Sequence, residues 1–256
     1  MEGNGISFIV RIRNEEATLG QSIRSLAGIT ILHEIILILH RCTDGSAQIA
    51  ARLASENPNI RILTYDMDIS RPGYETLATD ANSKHSLVTY YNWWSQQAKY
   101  TWVFKWDADF VASDKLIHFM NSNIWEKRDM NLSMVAKNST SSNREYYLSG
   151  GSRTFVKHLF WEKPQFSPDV VDIHLSDDLC IEHVSELSNL KSYWNEPPWY
   201  LTEISEEATI VKGRIERLTA DFGPESRGMA RAGNPECDIA VKAIVSANPS
   251  YVSMSS

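Results

Sequence analysis

Cysteine is scarce in this 256-residue chain: Cys42, Cys180 and Cys237 are odd in number, scattered, and without the spacing of a metal site. A disulfide framework is excluded, and the usage reads as that of a reducing compartment. A basic excess is lacking too, with formal net charge -7 and an isoelectric point near 5.5. General nucleic-acid binders carry a basic stripe, so no nucleic-acid partner is expected. No apolar run approaches a membrane span, since the best, "ITILHEIILIL" (29–39), is short and interrupted by His33 and Glu34. The N-terminus shows no basic region followed by an apolar stretch, so no signal peptide is expected. Internal repeats and low-complexity tracts are absent as well. The glycosylation sequons at Asn131 and Asn138 go unused in a cytosolic chain. The expectation is a soluble, cytoplasmic globular protein.

What is present is core material. Hydrophobic residues make up 43% of the chain, with Trp 8, Tyr 10 and Phe 8, enough for one full domain over 1–256. "ISFIVRI" (6–12) predicts a first strand. Asn14 follows as a candidate helix cap, with Glu15 and Glu16 in the first turn, where negative charge suits the helix dipole. Leu19, Ile23 and Leu26 give that helix one buried face, and Gly28 ends it. "EIILIL" (34–39) predicts a second strand covered on both faces. "CTDGS" (42–46) turns the chain into a helix carrying Ile49, Ala50 and Leu53, and "IRILTYD" (60–66) predicts a third strand. Strand and helix alternate with short connections, the pattern of βαβ units and a mostly parallel sheet.

Further on, 68–87 reads as loop, 87–98 as helix, and 116–125 as helix behind a cap at Ser113. Strands are expected at 132–137 and 145–155. Leu179, Val184, Leu187 and Leu190 suggest a helix over 176–190 capped by Ser176, and another helix is expected over 204–218. Residues 222–238 are turn-rich.

The most informative segment is "WVFKWDADFVAS" (102–113), where an apolar run ends abruptly in Asp107-Ala108-Asp109. A buried strand has no cheap place for two carboxylates, so they belong at its C-terminal mouth, where open α/β sheets hold ligands. Acid–x–acid there offers hard oxygen ligands to Mg²⁺ or Mn²⁺ shared with substrate phosphates.

Taken together, "SFIVRIRNEEATLGQSIRSL" (7–26), "EIILILHRCTDGSAQIA" (34–50), Asn92 and Asp107-Ala-Asp109 resemble glycosyltransferase family 2. Its members are nucleotide-sugar-dependent transferases of GT-A fold. The likeness covers roughly 6–115 and thins to "YLSGGSRTF" (147–155). It implies an α/β, Rossmann-like, mostly parallel sheet flanked by helices, with a helical and loop-rich C-terminal part. About 1–115 would bind the nucleotide-sugar and about 116–256 the acceptor.

The resemblance also implies roles. Arg11, Arg13, Asn14 and Glu15 would border the nucleotide near a helix N-terminus. Asp44, Asn92 and Asp107 would add to the donor site. Apart from the resemblance, His40 is a candidate to hydrogen-bond a base or ribose, and Arg227 and Arg231 in a Gly-rich loop are candidates to close over the diphosphate. Asp107 and Asp109 would hold Mn²⁺ or Mg²⁺, with His183 completing the shell. The family places an acid after the Gly-Gly strand to take the acceptor's proton. Asp178, then Asp177, fits best, with Asp169, Asp172 and Glu182 as alternatives.

Trp199 and Tyr200 are candidates to stack on an acceptor sugar or, more simply, to pack. Two departures stand out: Leu39 and His40 occupy the places of the family's base-reading acids, and Tyr91 replaces an Arg that often precedes Asn92. The expected function is inverting, metal-dependent sugar transfer to a hydroxyl of a glycan or glycoconjugate in surface polysaccharide synthesis, with at most peripheral membrane contact. The alternatives are a degenerate domain that binds a glycan or a protein, and a sugar nucleotidyltransferase. The last usually needs a Gly-rich loop after the first strand, which "RIRNEEATLG" lacks.

Overall fold

A computed structural model describes residues 5–71, 73–100, 102–122, 130–139, 145–156, 171–183 and 196–223, with backbone and register alone described for the three strands within 130–183. The chain forms two compact units. The first comprises Met1–Asp66, Trp94–Phe160 and Phe166–Trp194, and the second Met67–Trp93, Trp161–Gln165 and Asn195–Ser256.

The first unit is built on β1 (Ile6–Ile12), β2 (Leu32–Leu39), β3 (Ile60–Thr64) and β4 (Trp102–Asp107). β1 pairs in parallel with both β2 and β4, and β2 with β3. Helices α1 (Leu19–Ser25, extended by a 3₁₀ turn at Leu26–Gly28) and α2 (Ser46–Glu56) make the crossovers. β5 (Phe110–Ala112), β6 (Met130–Ser139), β7 (Glu145–Val156) and β8 (Val171–His183) extend the sheet to the order β3-β2-β1-β4-β7-β6-β8-β5. β7 runs antiparallel to β4 and β6, and β8 runs parallel to β6 and antiparallel to β5. This is the expected mostly parallel, Rossmann-like architecture of GT-A type.

Alternation along the strands sorts the sheet into two faces. Phe8, Val10 and Ile12 of β1, Leu37 of β2, and Phe104 and Trp106 of β4 are fully buried, in one core with Leu19, Ile23 and Leu53. Phe8 stacks on Phe104 with centroids 4.7 Å apart, and Trp106 meets Phe110 edge-on at 5.5 Å. The other face carries Ser7, Ile9 and Arg11 on β1, with Lys105 and Asp107 opposite on β4. Sequence leaves β1 in opposite directions, to β2 and later to β4. The C-terminal edges of β1 and β4 therefore flank the point where strand order reverses, the position at which such sheets bind ligands.

Helix α5 (Asp114–Met120) follows, and Ser113 caps it as expected, its Oγ accepting from Leu116 N at 3.3 Å. In the second unit α3 (Tyr74–Ala78) interrupts the expected loop. α6 (Trp199–Thr202) and α7 (Glu206–Phe222) follow, the latter capped by Ser205. Ala78, Trp199, Ala208, Val211 and Ile215 form that unit's core. Helix α4 spans Leu87–Gln96. Among the described residues, no helix is long and apolar enough to cross a membrane.

Two local expectations are corrected. Helix α1 begins at Leu19 with Thr18 as its cap residue, not at Asn14. Asn14 has φ 57, a left-handed conformation that Asn tolerates and that turns the chain before the helix. Residues 176–183 belong to β8 instead of a helix. Alternation over Val171-Asp-Ile-His-Leu175 carries the strand onward, and pairing with β6 and β5 outweighs the helical spacing of Leu179 and Val184. The remainder of that expected helix, 184–190, lies outside the described residues.

Candidate active site

The site starts from two loops at the C-terminal ends of β1 and β2. Asn14 Oδ1 accepts from Thr43 N at 2.7 Å and Thr43 Oγ1 at 3.3 Å. Glu15 N donates to Ser46 Oγ at 2.8 Å, and Glu16 N to Asp44 Oδ2 at 3.0 Å. Glu16 Oε2 in return accepts from Gly45 N at 2.7 Å. A Cβ at Gly45 would sit 2.7 Å from that same oxygen, so a larger residue there would push the Glu16 carboxylate aside. Asp44 Oδ1 also accepts from Ser46 N at 3.0 Å. Burial alone would raise the Asp44 carboxyl, but bonds from the Ser46 hydroxyl and from backbone N–H groups outweigh it and hold the group below its ordinary value. Asn14 and Asp44 thus shape the loop that presents Glu15.

The second component is the acidic turn. β4 ends at Asp107 and β5 resumes at Phe110, so Ala108 and Asp109 form the turn between them. Arg11 lies opposite Asp107 in the β1–β4 register. Its Nη2 reaches Asp107 Oδ1 at 3.2 Å, while Lys105 Nζ reaches Oδ2 at 3.2 Å. Burial would push the Asp107 carboxyl up, but the two cations outweigh it and hold the group at about 2, so Asp107 is ionised at any physiological pH. Asp109 is buried.

Glu15 joins these two acids. Burial first, then the charge of Asp109, lift its carboxyl to about 7, with smaller upward pushes from Asp107 and Asp44. A hydroxyl bond from Thr18 to Glu15 Oε2, at 3.1 Å, pulls the other way. Arg11 and Lys105 compensate Asp107, whereas Glu15 is still pushed up by its acidic neighbours, an electrostatic pattern found at functional sites. Among the described residues, however, no group of three or more His, Cys, Asp or Glu side chains is arranged to hold a metal ion. The pieces of the site are assembled by chemistry more than by completed geometry.

The remaining expected residues are placed as follows. His40 is buried, its N donating to Ile12 O at 2.9 Å and its ring meeting Tyr65 edge-on at 6.1 Å. Arg13 is half-buried directly after β1. Asn92 lies on α4 within the second unit. His183 pairs with Phe110, the residue after Asp109, in the β5–β8 register. The β6–β8 register jumps from Leu175 to Leu179, which leaves Ser176, Asp177 and Asp178 outside the ladder, an irregularity of the kind that strands show beside active sites. Asp172 and Glu182 also lie on β8. Arg227, Arg231 and Asp169 lie outside the described residues. Trp199 is 3% exposed and stacks on His85 at 4.0 Å, so it packs as a core residue and offers no open face to a sugar.

Sequence reasoning missed Lys105 and Ser46. Lys105 stands two residues before Asp107 on the same face of β4, and strand alternation alone would have flagged a lysine in an otherwise apolar run. Ser46 bonds a loop 31 residues away, which no local pattern signals.

No family model and no curated protein matches this chain. Among solved structures it is similar to residues 1–349 of TarS from S. aureus, at 14% identity over 96% of this chain and 81% of that one, with a TM-score of 0.50. The same fragment in complex with UDP-GlcNAc gives 12% identity, coverage of 98% and 73%, and a TM-score of 0.48. Glucosyl-3-phosphoglycerate synthase from Mycobacterium tuberculosis, crystallised with Mn²⁺, UDP and phosphoglyceric acid, gives 14% identity over 74% of each chain and a TM-score of 0.45. At such identities the likeness to TarS is one of fold.

Proposed function

We propose that the chain is an inverting, metal-dependent glycosyltransferase of family 2, moving a sugar from a nucleotide-sugar to a hydroxyl of a glycan or glycoconjugate. The setting we propose is cytoplasmic synthesis of a surface polysaccharide. One observation carries the reading: Asp107 and the acidic turn stand at the C-terminal edge of β1 and β4, with Arg11 and Lys105 on Asp107 and the charges of both acids acting on Glu15. A pure binding module has no need of an Asp107-Ala-Asp109 turn at a strand mouth.

Hard carboxylate oxygens in this set fit Mg²⁺ or Mn²⁺, which Asp107 and Asp109 would hold, with His183 as third ligand. When bound, such an ion neutralises charge on the departing nucleoside diphosphate. Arg11 and Lys105 stand beside the same position and supply charge-assisted donors to phosphate oxygens. Arg13 and His40 complete the donor side, while Asn14 and Asp44 hold the Glu15 loop in shape. Asp178, with Asp177 as second choice, takes the proton from the acceptor hydroxyl on the face opposite the leaving group. Replacing Asp178 with Asn should abolish transfer and leave donor binding intact, and near-normal turnover would move the role elsewhere.

The test is a thermal-shift screen of UDP-, GDP-, CMP- and dTDP-sugars, with and without Mn²⁺, on the wild type and Asp109→Ala. UDP-sugars come first, because the TarS fragment that shares this fold has been crystallised with UDP-GlcNAc. Stabilisation by one donor that needs the metal and disappears in the variant supports the transferase and names its base. No response to any donor would favour the glycan- or protein-binding alternative, and pyrophosphate release from a nucleoside triphosphate plus sugar phosphate would favour the nucleotidyltransferase.

A further inference from the structure

Helix α1 carries two serines where burial would favour alanine or leucine. Ser22 is fully buried and Ser25 is partly so, one turn apart on the same side of the helix. Serine is a poorer helix former than alanine and brings a hydroxyl that must find partners. Both hydroxyls find them on the chain around Asp107-Ala108-Asp109. Trp106 Nε1 donates to Ser22 Oγ at 2.9 Å, and Ser22 Oγ donates onward to the carbonyl of Asp107 at 3.4 Å. Ser25 Oγ accepts from Ala112 N at 2.9 Å and donates to Ser22 O at 2.7 Å.

One serine therefore grips the chain just before the acidic turn, and the other just after it. The helix that carries them is itself anchored to the Glu15 loop, since Thr18 N and Leu19 N donate to Glu15 O at 3.2 and 2.9 Å. Glu15 N in turn donates to Ser46 Oγ. The three carboxylates thus come from two segments that one helix ties together.

We infer that Ser22 and Ser25 are positioning residues for the Asp107–Asp109 turn, setting the spacing between these two acids and Glu15. Neither serine is among the residues proposed to hold the ligand. Their effect passes through the turn, as second-layer hydrogen bonds fix metal ligands elsewhere, where their loss typically costs about ten- to a hundredfold in affinity. The inference rests on the donor-site reading above, so the test has one readout with ligand and one without.

In the first, Mn²⁺ affinity in the presence of UDP is measured for the wild type, Ser22→Ala, Ser25→Ala, the double variant and Ser25→Thr. We expect about a tenfold loss in the double variant and recovery of Ser25→Ala when Thr restores the hydroxyl. In the second, hydrogen exchange is followed in the ligand-free proteins. Faster exchange should be confined to 106–112, with β1 and β2 unchanged. Wild-type affinity in the double variant together with unchanged exchange at 106–112 would overturn the inference. So would exchange that accelerates evenly through the sheet, since that marks a general packing role. If the wild type binds no Mn²⁺ while exchange at the turn responds as expected, the donor-site reading fails and the mechanical role of the serines stands.

Discussion

Two carboxylates on the same face of this sheet, one at each end, are both ion-paired, yet they are built in opposite ways. Glu34 sits near the start of β2, 4% exposed. Its Oε2 accepts from Ser7 Oγ at 2.8 Å and Lys99 N at 3.1 Å, and its Oε1 from Arg61 Nε at 2.7 Å. Arg61 Nη2 continues to Gln97 O at 2.6 Å. Each of these partners is a donor, and the network ties β1, β2, β3 and the approach to β4 together. Asp107, at the opposite end, has a side chain 30% exposed. It takes two cations and still shares its neighbourhood with Asp109 and Glu15. A satisfied buried network holds a fold in one arrangement. A cluster in which one carboxyl is still pushed up by its neighbours is the arrangement from which functional sites are commonly built. The contrast separates a network that holds the sheet together from the end at which we propose the donor binds.

The comparison breaks most visibly if the two ends respond alike to mutation. Glu34→Ala leaves a buried hydroxyl, an N–H and a guanidinium without their acceptor, and should cost about 3 kcal/mol of stability, read as a lowered urea midpoint. Nucleotide affinity of the folded protein should not change. Asp109→Asn should do the reverse. Transfer should fall about a hundredfold or more, while the ligand-free stability changes far less than in Glu34→Ala, because the carboxylate's neighbours include the like charge of Glu15.

Titration sharpens the contrast with a smaller effect. Glu15 is raised from an ordinary 4.5 to about 7 in the folded state. Above 4.5 the unfolded chain releases that proton freely and the folded one does not, so stability should fall as pH rises from about 4.5 to about 7 and then level off. Glu15→Gln should remove that slope from a series of melting curves. Asp107 has the opposite sign: its pairing stabilises above 3.8, and that contribution is lost as pH falls toward about 2. The smallest effect is expected from Asp44→Ala. It frees the Glu16 and Ser46 N–H groups, costs about 1 kcal/mol, and weakens donor binding only several-fold, since the loop is loosened without loss of a ligand group.

Much of the structural end was legible in the sequence. The apolar runs at 6–12, 34–39 and 60–66 and the run ending at Asp107 are all strands, in the parallel arrangement that their spacing implies. The acidic turn at the mouth of β4 followed from the cost of burying two carboxylates. What escaped was decided by partners distant in sequence. Asn14 looks like a helix cap until Thr43 claims its side chain. Asp177 and Asp178 look like a helix start until β6 and β5 recruit the segment into the sheet. Lys105 and Ser22 gain meaning only beside Asp107, and no periodicity reveals a side chain whose role lies across a helix–strand contact.

The most direct test of the division is Mn²⁺ binding followed by electron paramagnetic resonance, with UDP and then GDP, CMP and dTDP, in wild type, Asp109→Asn and Glu34→Gln. The account predicts a nucleotide-enhanced bound signal in the wild type and in folded Glu34→Gln, and its loss in Asp109→Asn. A signal in Asp109→Asn equal to the wild type, or none in the wild type with any nucleotide, would contradict it.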